Sequence, residues 1–170
     1  MAFSIAQNWH AGELAMHRLL NGPDYDEDNP TSSMLTSQAA FMLQRAPLLA
    51  LGTLDSQGRP WTTVWGGEPG FSRSLGASIV GVRTTVERRF DPVVEELMQG
   101  KDDGEVVREE GKGRMVAGLT IDLETRKRVK LYGRMVAGAL SRVESEGGGR
   151  EETSEGEGEI QLVVKIEQSL

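Results

Sequence analysis

With 170 residues, 38 % of them hydrophobic, the chain can build one domain with its own core but not two, and the absence of cysteine excludes disulfides, thiolate metal sites and cysteine nucleophiles. The net charge of −7 is concentrated: Arg142 to Glu159 holds seven acidic and two basic residues, and the other 17 basic and 19 acidic residues nearly balance. That leaves no basic footprint for nucleic acid, no apolar run near the ~18 residues of a membrane span and no signal-peptide pattern, so the expectation is a soluble, cytoplasmic protein with neither partner.

In chain order, "GELAMHRLL" (Gly12 to Leu20) is made of helix formers and stops at Asn21, Gly22 and Pro23. A polar loop, "PDYDEDNPTSS", follows. Leu35, Ala39, Met42 and Ala46 recur at helical spacing before Pro47, which predicts a second helix over about 33–45. The period then becomes that of strands. "LLALGTL" (48–54) is apolar on both faces, "DSQG" reads as a hairpin turn with Gly58 at positive φ, and Pro60 opens the return strand. A third strand, "SIVGVRTTV", covers about 78–86.

Asp91 and Pro92 then supply an N-cap and a first helical position, with Val93, Val94, Leu97 and Met98 as the apolar stripe before Gly100. "KDDGEVVREEGKG" (101–113) reads as a charged loop. "RMVAGLTI" and "KRVKLYGRMVAGAL" are strands joined by the turn "DLETR". Residues 142–159 form an acidic low-complexity loop expected to be disordered. The last strand, "EIQLVVKIEQ", places Ile160, Leu162, Val164 and Ile166 on one face. Six strands and three peripheral helices predict a mainly β fold, an antiparallel barrel over 47–170 preceded by an N-terminal helical segment over 1–46.

Candidate chemistry is sparse. His10, Glu13 and His17 can share a helix face, but the histidines are ~10 Å apart along the axis, which suits packing or surface roles better than one metal ion. Both lie far in sequence from any strand-borne nucleophile, so no Ser-His-Asp arrangement forms. "GEPGFSRSLG" lacks the spacing and context of a phosphate loop or dinucleotide fingerprint.

"GRPWTTVWGG" (58–67) is more informative. Trp61, Thr63 and Trp65 share one face of its strand, and Thr62 and Val64 share the other. This is either a core strand with unusual fillers or the wall of a site for a flat ligand. In "TRKRVKLYGR", Arg126, Arg128, Lys130, Tyr132 and Arg134 fall on one face. Their ~6.6 Å spacing lets two of them grip one phosphate, and a solvated outer face gives the same pattern. A second basic group, Arg83, Arg88 and Arg89, brackets the hydroxyls of Thr84 and Thr85.

The order helix, "LLALGTLDSQGRPWTTVWGG", a strand ending "RTTVERR", then "RKRVKLYG", resembles the FMN-binding split-barrel superfamily, the pyridoxamine 5'-phosphate oxidase-like proteins, over about residues 10–168. "HAGELAMHRLL" and "GRPWTTVWGG" are most similar to a fungal and bacterial group of larger proteins, whose members usually continue past the strand matched by "LVVKIEQSL". The resemblance implies a six-stranded antiparallel Greek-key split barrel that forms a homodimer, binds FMN in a groove between subunits and acts as an oxidoreductase on a small molecule. It places Thr62, Thr63, Val64 and Trp65 beside the flavin ring, with Gly66 and Gly67 admitting close backbone approach. Arg83, Thr84, Thr85, Arg88 and Arg89 fall on the phosphate side, and Arg128 stands where a flavin-contacting glutamine is usual.

Thr63 occupies the position of the oxidases' phosphate-binding arginine, Arg88 that of a serine, and no tryptophan follows Trp65, so oxidation of pyridoxamine phosphate itself is not expected. The alternative expectation is a noncatalytic dimeric barrel that binds haem or another planar ligand, or a cofactor-free structural module.

Overall fold

Strand pairing carries the chain from a local hairpin to a barrel. In the computed structural model, which describes residues 7–20, 29–76, 78–101, 103–143 and 156–170, β1 (Leu48–Leu54) turns through Gly58 at φ 77° into β2 (Pro60–Gly66). The hairpin register pairs Leu48 with Gly66 and Leu54 with Pro60. β3 (Ser72–Gly76) and β4 (Ile79–Glu87) follow, then β5 (Val107–Arg108), β6 (Met115–Ile121), β7 (Arg128–Arg142) and β8 (Glu157–Ser169). All pairings are antiparallel, in the order β2-β1-β6-β7-β8-β4-β3, with β5 paired to β7.

The six strands expected from sequence are β1, β2, β4, β6, β7 and β8, which make the barrel path. β3 and β5 are additions, so the described residues hold eight strands rather than six. The path curls until β2 reaches β4, where the Thr84 hydroxyl donates to the Gly66 carbonyl. A side chain at Gly67 would sit 2.7 Å from Phe71 Cβ, so this glycine permits the closure. The result is an antiparallel split barrel with three peripheral helices.

Local sequence explains each helix. α1 (Ala11–Leu19) is capped by His10, whose Nδ1 accepts from the Gly12 amide at 3.1 Å while its own amide donates to the Glu13 carboxylate at 2.8 Å. α2 (Ser37–Arg45) begins later than the apolar spacing predicts because Thr36 Oγ1 accepts from Ala39 N and caps it there. α3 (Pro92–Met98) has the expected cap at Asp91 and buries Val93, Val94, Leu97 and Met98 against the barrel.

Inside the barrel, Leu49 and Leu51 of β1, Val80 and Val82 of β4, Leu131 and Met135 of β7, and Ile160, Leu162, Val164 and Ile166 of β8 form one apolar cluster. The cavity left between them is about 20 Å³, room for a water at most and apolar. A ligand of any size must therefore bind outside the barrel.

Most of the acidic loop expected over 142–159 lies outside the described residues, as does the 21–28 part of the earlier polar loop. Its ends are strand rather than loop: Arg142 closes β7 and Glu157 to Glu159 open β8. Pairing with β4, from Thr85↔Glu159 to Glu87↔Glu157, extends β8 into that acidic sequence. Among the described residues, no helix is long and apolar enough to cross a membrane.

Candidate functional site on the outer barrel wall

β2 settles which of its faces can meet a ligand. Trp61, Thr63 and Trp65 point inward. Trp65 is 3 % exposed and its indole Nε1 donates to Asp91 Oδ2 at 2.9 Å, the same oxygen that accepts the Thr63 hydroxyl at 2.7 Å. Asp91 Oδ1 accepts from the Val93 and Val94 amides. One carboxylate thus caps α3 and fastens it to β2. Trp61 is tied in the same way at the hairpin end, where its Nε1 donates to Asp55 Oδ2 at 3.2 Å.

Asp55 also accepts from the Gln57 and Arg59 amides and from Arg59 Nε at 2.6 Å. Burial alone would raise its pKa, but the Arg59, Trp61 and Gln57 hydrogen bonds outweigh that and hold it at about 2. The inward face of β2 is therefore scaffold, with Trp61 still exposed at the hairpin end, and Pro60, Thr62 and Val64 present side chains outward. A side chain at Gly66 or Gly67 would meet Leu48, Pro47, Phe71 or Thr84 of this chain.

Outward, Thr62 and Val64 head two rows across four strands. One runs Val64, Ala50, Leu119, Lys130; the other runs Thr62, Gly52, Ala117, Tyr132. The wall is ~14 Å wide, and beside Leu119 its middle carries Gly52, Ala50 and Ala117, a stretch short enough for a flat molecule to lie against the sheet. Val64 is 62 % exposed there. At the far side, Arg128, Lys130, Tyr132 and Arg134 project outward from β7 while Val129 and Leu131 are buried. Arg126 does not share that face: it lies before the strand, in the turn, at φ 59°.

Arg134 is engaged with the Tyr132 hydroxyl at 2.8 Å and with Glu167 at 3.6 Å. Arg128 and Lys130 have no carboxylate within 4.0 Å among the described residues.

The second basic group has a different setting. Arg83 Nε meets Glu159 at 2.9 Å across the β4–β8 ladder, and its hydrogen bond is the main cause holding the Glu159 carboxyl below its ordinary pKa. Thr85 stands opposite Glu159, and Glu87 opposite Glu157. Arg88 is half-buried against Gly158, with its guanidinium 3.7 Å from Asp103. The Arg89 amide donates to Glu87 Oε1. Thr84 is buried and spends its hydroxyl on Gly66. This corner is as acidic as it is basic, and Arg83 and Arg88 already have anions.

The ten residues expected around a ligand thus divide into three sets. Thr62, Val64 and Arg128 share the outer wall of β2-β1-β6-β7. Thr63, Trp65 and Thr84 face inward. Arg83, Thr85, Arg88 and Arg89 belong to the β4 end. His10 is occupied as a cap and His17 packs edge-on to Trp9 at 5.0 Å, and the described residues hold no group of three or more histidines and carboxylates fit for a metal ion.

An antiparallel split barrel with a full interior and a flat outer wall edged by cations is the class that fold and site define. No protein-family description matches the sequence, and no curated protein does. Among solved structures, the chain is similar to a candidate pyridoxamine 5'-phosphate oxidase from Lactobacillus delbrueckii, with 15 % identity, 82 % of this chain and 95 % of that one covered, and a TM-score of 0.47. It is also similar to an F420 reductase, at 10 % identity, 76 % and 94 % coverage and TM-score 0.44. A third neighbour is HutZ, the haem storage protein of Vibrio cholerae, at 13 % identity, 79 % and 89 % coverage and TM-score 0.35. The likeness is one of fold, and the assignment of the barrel rests on the strand order and register above.

Proposed function

We propose that this protein binds FMN on the outer wall of β2-β1-β6-β7 and serves as a flavin-dependent oxidoreductase for a small molecule, other than a true pyridoxamine phosphate oxidase. The observation that carries this reading is the wall itself: Thr62 and Val64 beside the bare stretch Ala50, Gly52 and Ala117, with Arg128 and Lys130 unneutralised on the same face. An isoalloxazine is flat and apolar on its faces, and its phosphate needs charge-assisted donors. Bound FMN supplies hydride or single-electron transfer, and the protein holds and orients it.

The phosphate goes to Arg128 and Lys130 in this reading, because an anion at Arg83 would compete with Glu159, with Glu87 and Glu157 further along the same strand pair. A second copy of the chain lies over the wall as a homodimer, covering the exposed Val64 and Leu54. Neither histidine stands on a barrel strand, so the barrel has no imidazole to offer haem iron, which favours flavin over the neighbour's ligand.

Titration of the purified protein with FMN tests this. Flavin fluorescence should be quenched with a dissociation constant of micromolar order, and Arg128→Ala should weaken FMN by about tenfold or more while riboflavin changes little, since a hydrogen bond to a charged group is worth ~1.5–3 kcal/mol. Arg88→Ala should leave both unchanged. No quenching at roughly 100 μM FMN sinks the flavin reading. Binding of hemin instead supports the noncatalytic ligand carrier, and a dimer that binds neither supports a structural module.

A further inference from the structure

We propose that the groove between α2 and the β6–β7 turn is a second ligand site, one that takes a small amphipathic acid with an apolar body and a single negative charge. It goes beyond the flavin reading and does not depend on it. The groove touches the outer wall at Leu48 and Ile121, but none of Thr62, Val64, Arg128 and Lys130 lines it.

The cavity measures about 610 Å³, within the range of small-molecule sites. α2 buries Ala39 and Leu43 against the barrel, and that rotation leaves Phe41 on the open side. Phe41 is 60 % exposed, and Leu48, Ile121 and Leu123, all lining the same groove, are exposed with it. Four large apolar side chains gathered in one concavity rather than scattered singly mark a binding surface.

Polarity in the groove is arranged unevenly. Arg45, in the last turn of α2, holds its guanidinium 5.2 Å from the centre of the Phe41 ring and has no carboxylate within 4.0 Å among the described residues. A guanidinium resting on a ring keeps its in-plane N–H donors free for a carboxylate. Across the groove, Asp122 spends its oxygens on its own turn, accepting from the Glu124 and Thr125 amides and from the Thr125 hydroxyl. The Thr125 hydroxyl is the main cause that holds its carboxyl below the ordinary range, and Lys127 adds a smaller charge effect. Asp122 is thereby satisfied within the turn, with Lys127 beside it. The Glu124 carboxylate on that rim repels a dianion such as a phosphate monoester, which leaves a monoanion at Arg45.

Dodecanoate, its neutral analogue dodecanol, and the fluorescent naphthalene sulfonate ANS test the site on the full chain. Dodecanoate should bind and displace ANS. Arg45→Gln should weaken dodecanoate by about tenfold and dodecanol by much less, because only the acid loses a charge-assisted contact. Leu123→Asp should weaken both. Leu123 is 83 % exposed, so this variant should keep the wild-type circular dichroism, and FMN titration of both variants should match wild type whether or not FMN binds. The proposal is overturned if dodecanoate fails to displace ANS, or if Arg45→Gln weakens acid and alcohol alike. It also falls if Leu123→Asp separates a dimer while dodecanoate does not bind, which would make the groove a contact between copies.

Discussion

The inner and outer faces of β2 differ in what their polar atoms do. On the inner face, two indoles and a hydroxyl all end on carboxylates of the same chain, Asp55 and Asp91, so their N–H and O–H donors are spent before any ligand arrives. On the outer face, Thr62 and Val64 meet nothing but short neighbours and solvent. Large aromatic residues attract attention as ligand platforms, yet here they are the scaffold, and the plain face is the one available for binding. Capacity to bind follows from unsatisfied groups, not from residue type.

Substitutions on the two faces should separate accordingly. Trp65→Ala should have the largest effect, a loss of about 3–5 kcal/mol in urea unfolding, as expected for a buried aromatic truncated to a cavity. A small loss would mean that the inner face is not core. Asp91→Ala should cost about 2–3 kcal/mol, because it removes the α3 cap and strands the Thr63 hydroxyl and Trp65 indole together. In a double-mutant cycle with Thr63→Val the two losses should be less than additive; strict additivity would deny the shared bond.

The hairpin end offers a smaller, pH-dependent probe. Asp55 titrates at 3.8 in its ordinary state and at about 2 in the folded protein, so its stabilising contribution is complete above roughly pH 4 and is lost as pH falls toward 2. Replacing Asp55 by Asn should lower stability at neutral pH and flatten that acid limb of the stability curve. An unchanged acid limb would break the link between Asp55 and the turn. Val64→Thr, on the outer face, should have the least effect on stability, within about 0.5 kcal/mol, while FMN titration reports any change at the wall.

Much of the barrel was legible because its signals are local. Asp91-Pro92 ahead of a Val, Val, Leu, Met stripe, and the alternation of Ile160, Leu162, Val164 and Ile166, each fix an element and its buried face from adjacent residues alone. β3 was missed because Ser72, Arg73 and Ser74 offer no apolar alternation and a register shift interrupts it before Gly76. β5, two residues in a charged segment, leaves no period to read.

Site residues were harder for a related reason. Period two shows that Trp61, Thr63 and Trp65 share a face, but not which way that face points. The direction is set by Asp91, 26 residues beyond Trp65. Likewise, Arg83 looks available until Glu159 arrives from β8 to neutralise it. A carboxylate at a helix cap near a tryptophan-bearing strand is the one sequence signal that could have suggested the inward face.

The position of β8 has a consequence for how the chain reaches this structure. β8 is the last strand in sequence but lies between β7 and β4 in the sheet, pairing Ile79 with Lys165 and Glu87 with Glu157. During synthesis β4 therefore waits with one edge unpaired until β8 emerges, and the closure of the barrel is among the most nonlocal steps the chain can take. Contacts of such separation fold slowly, so the nascent chain spends its longest exposed interval with β4 as an open edge, the state in which strand-to-strand association between chains competes with folding.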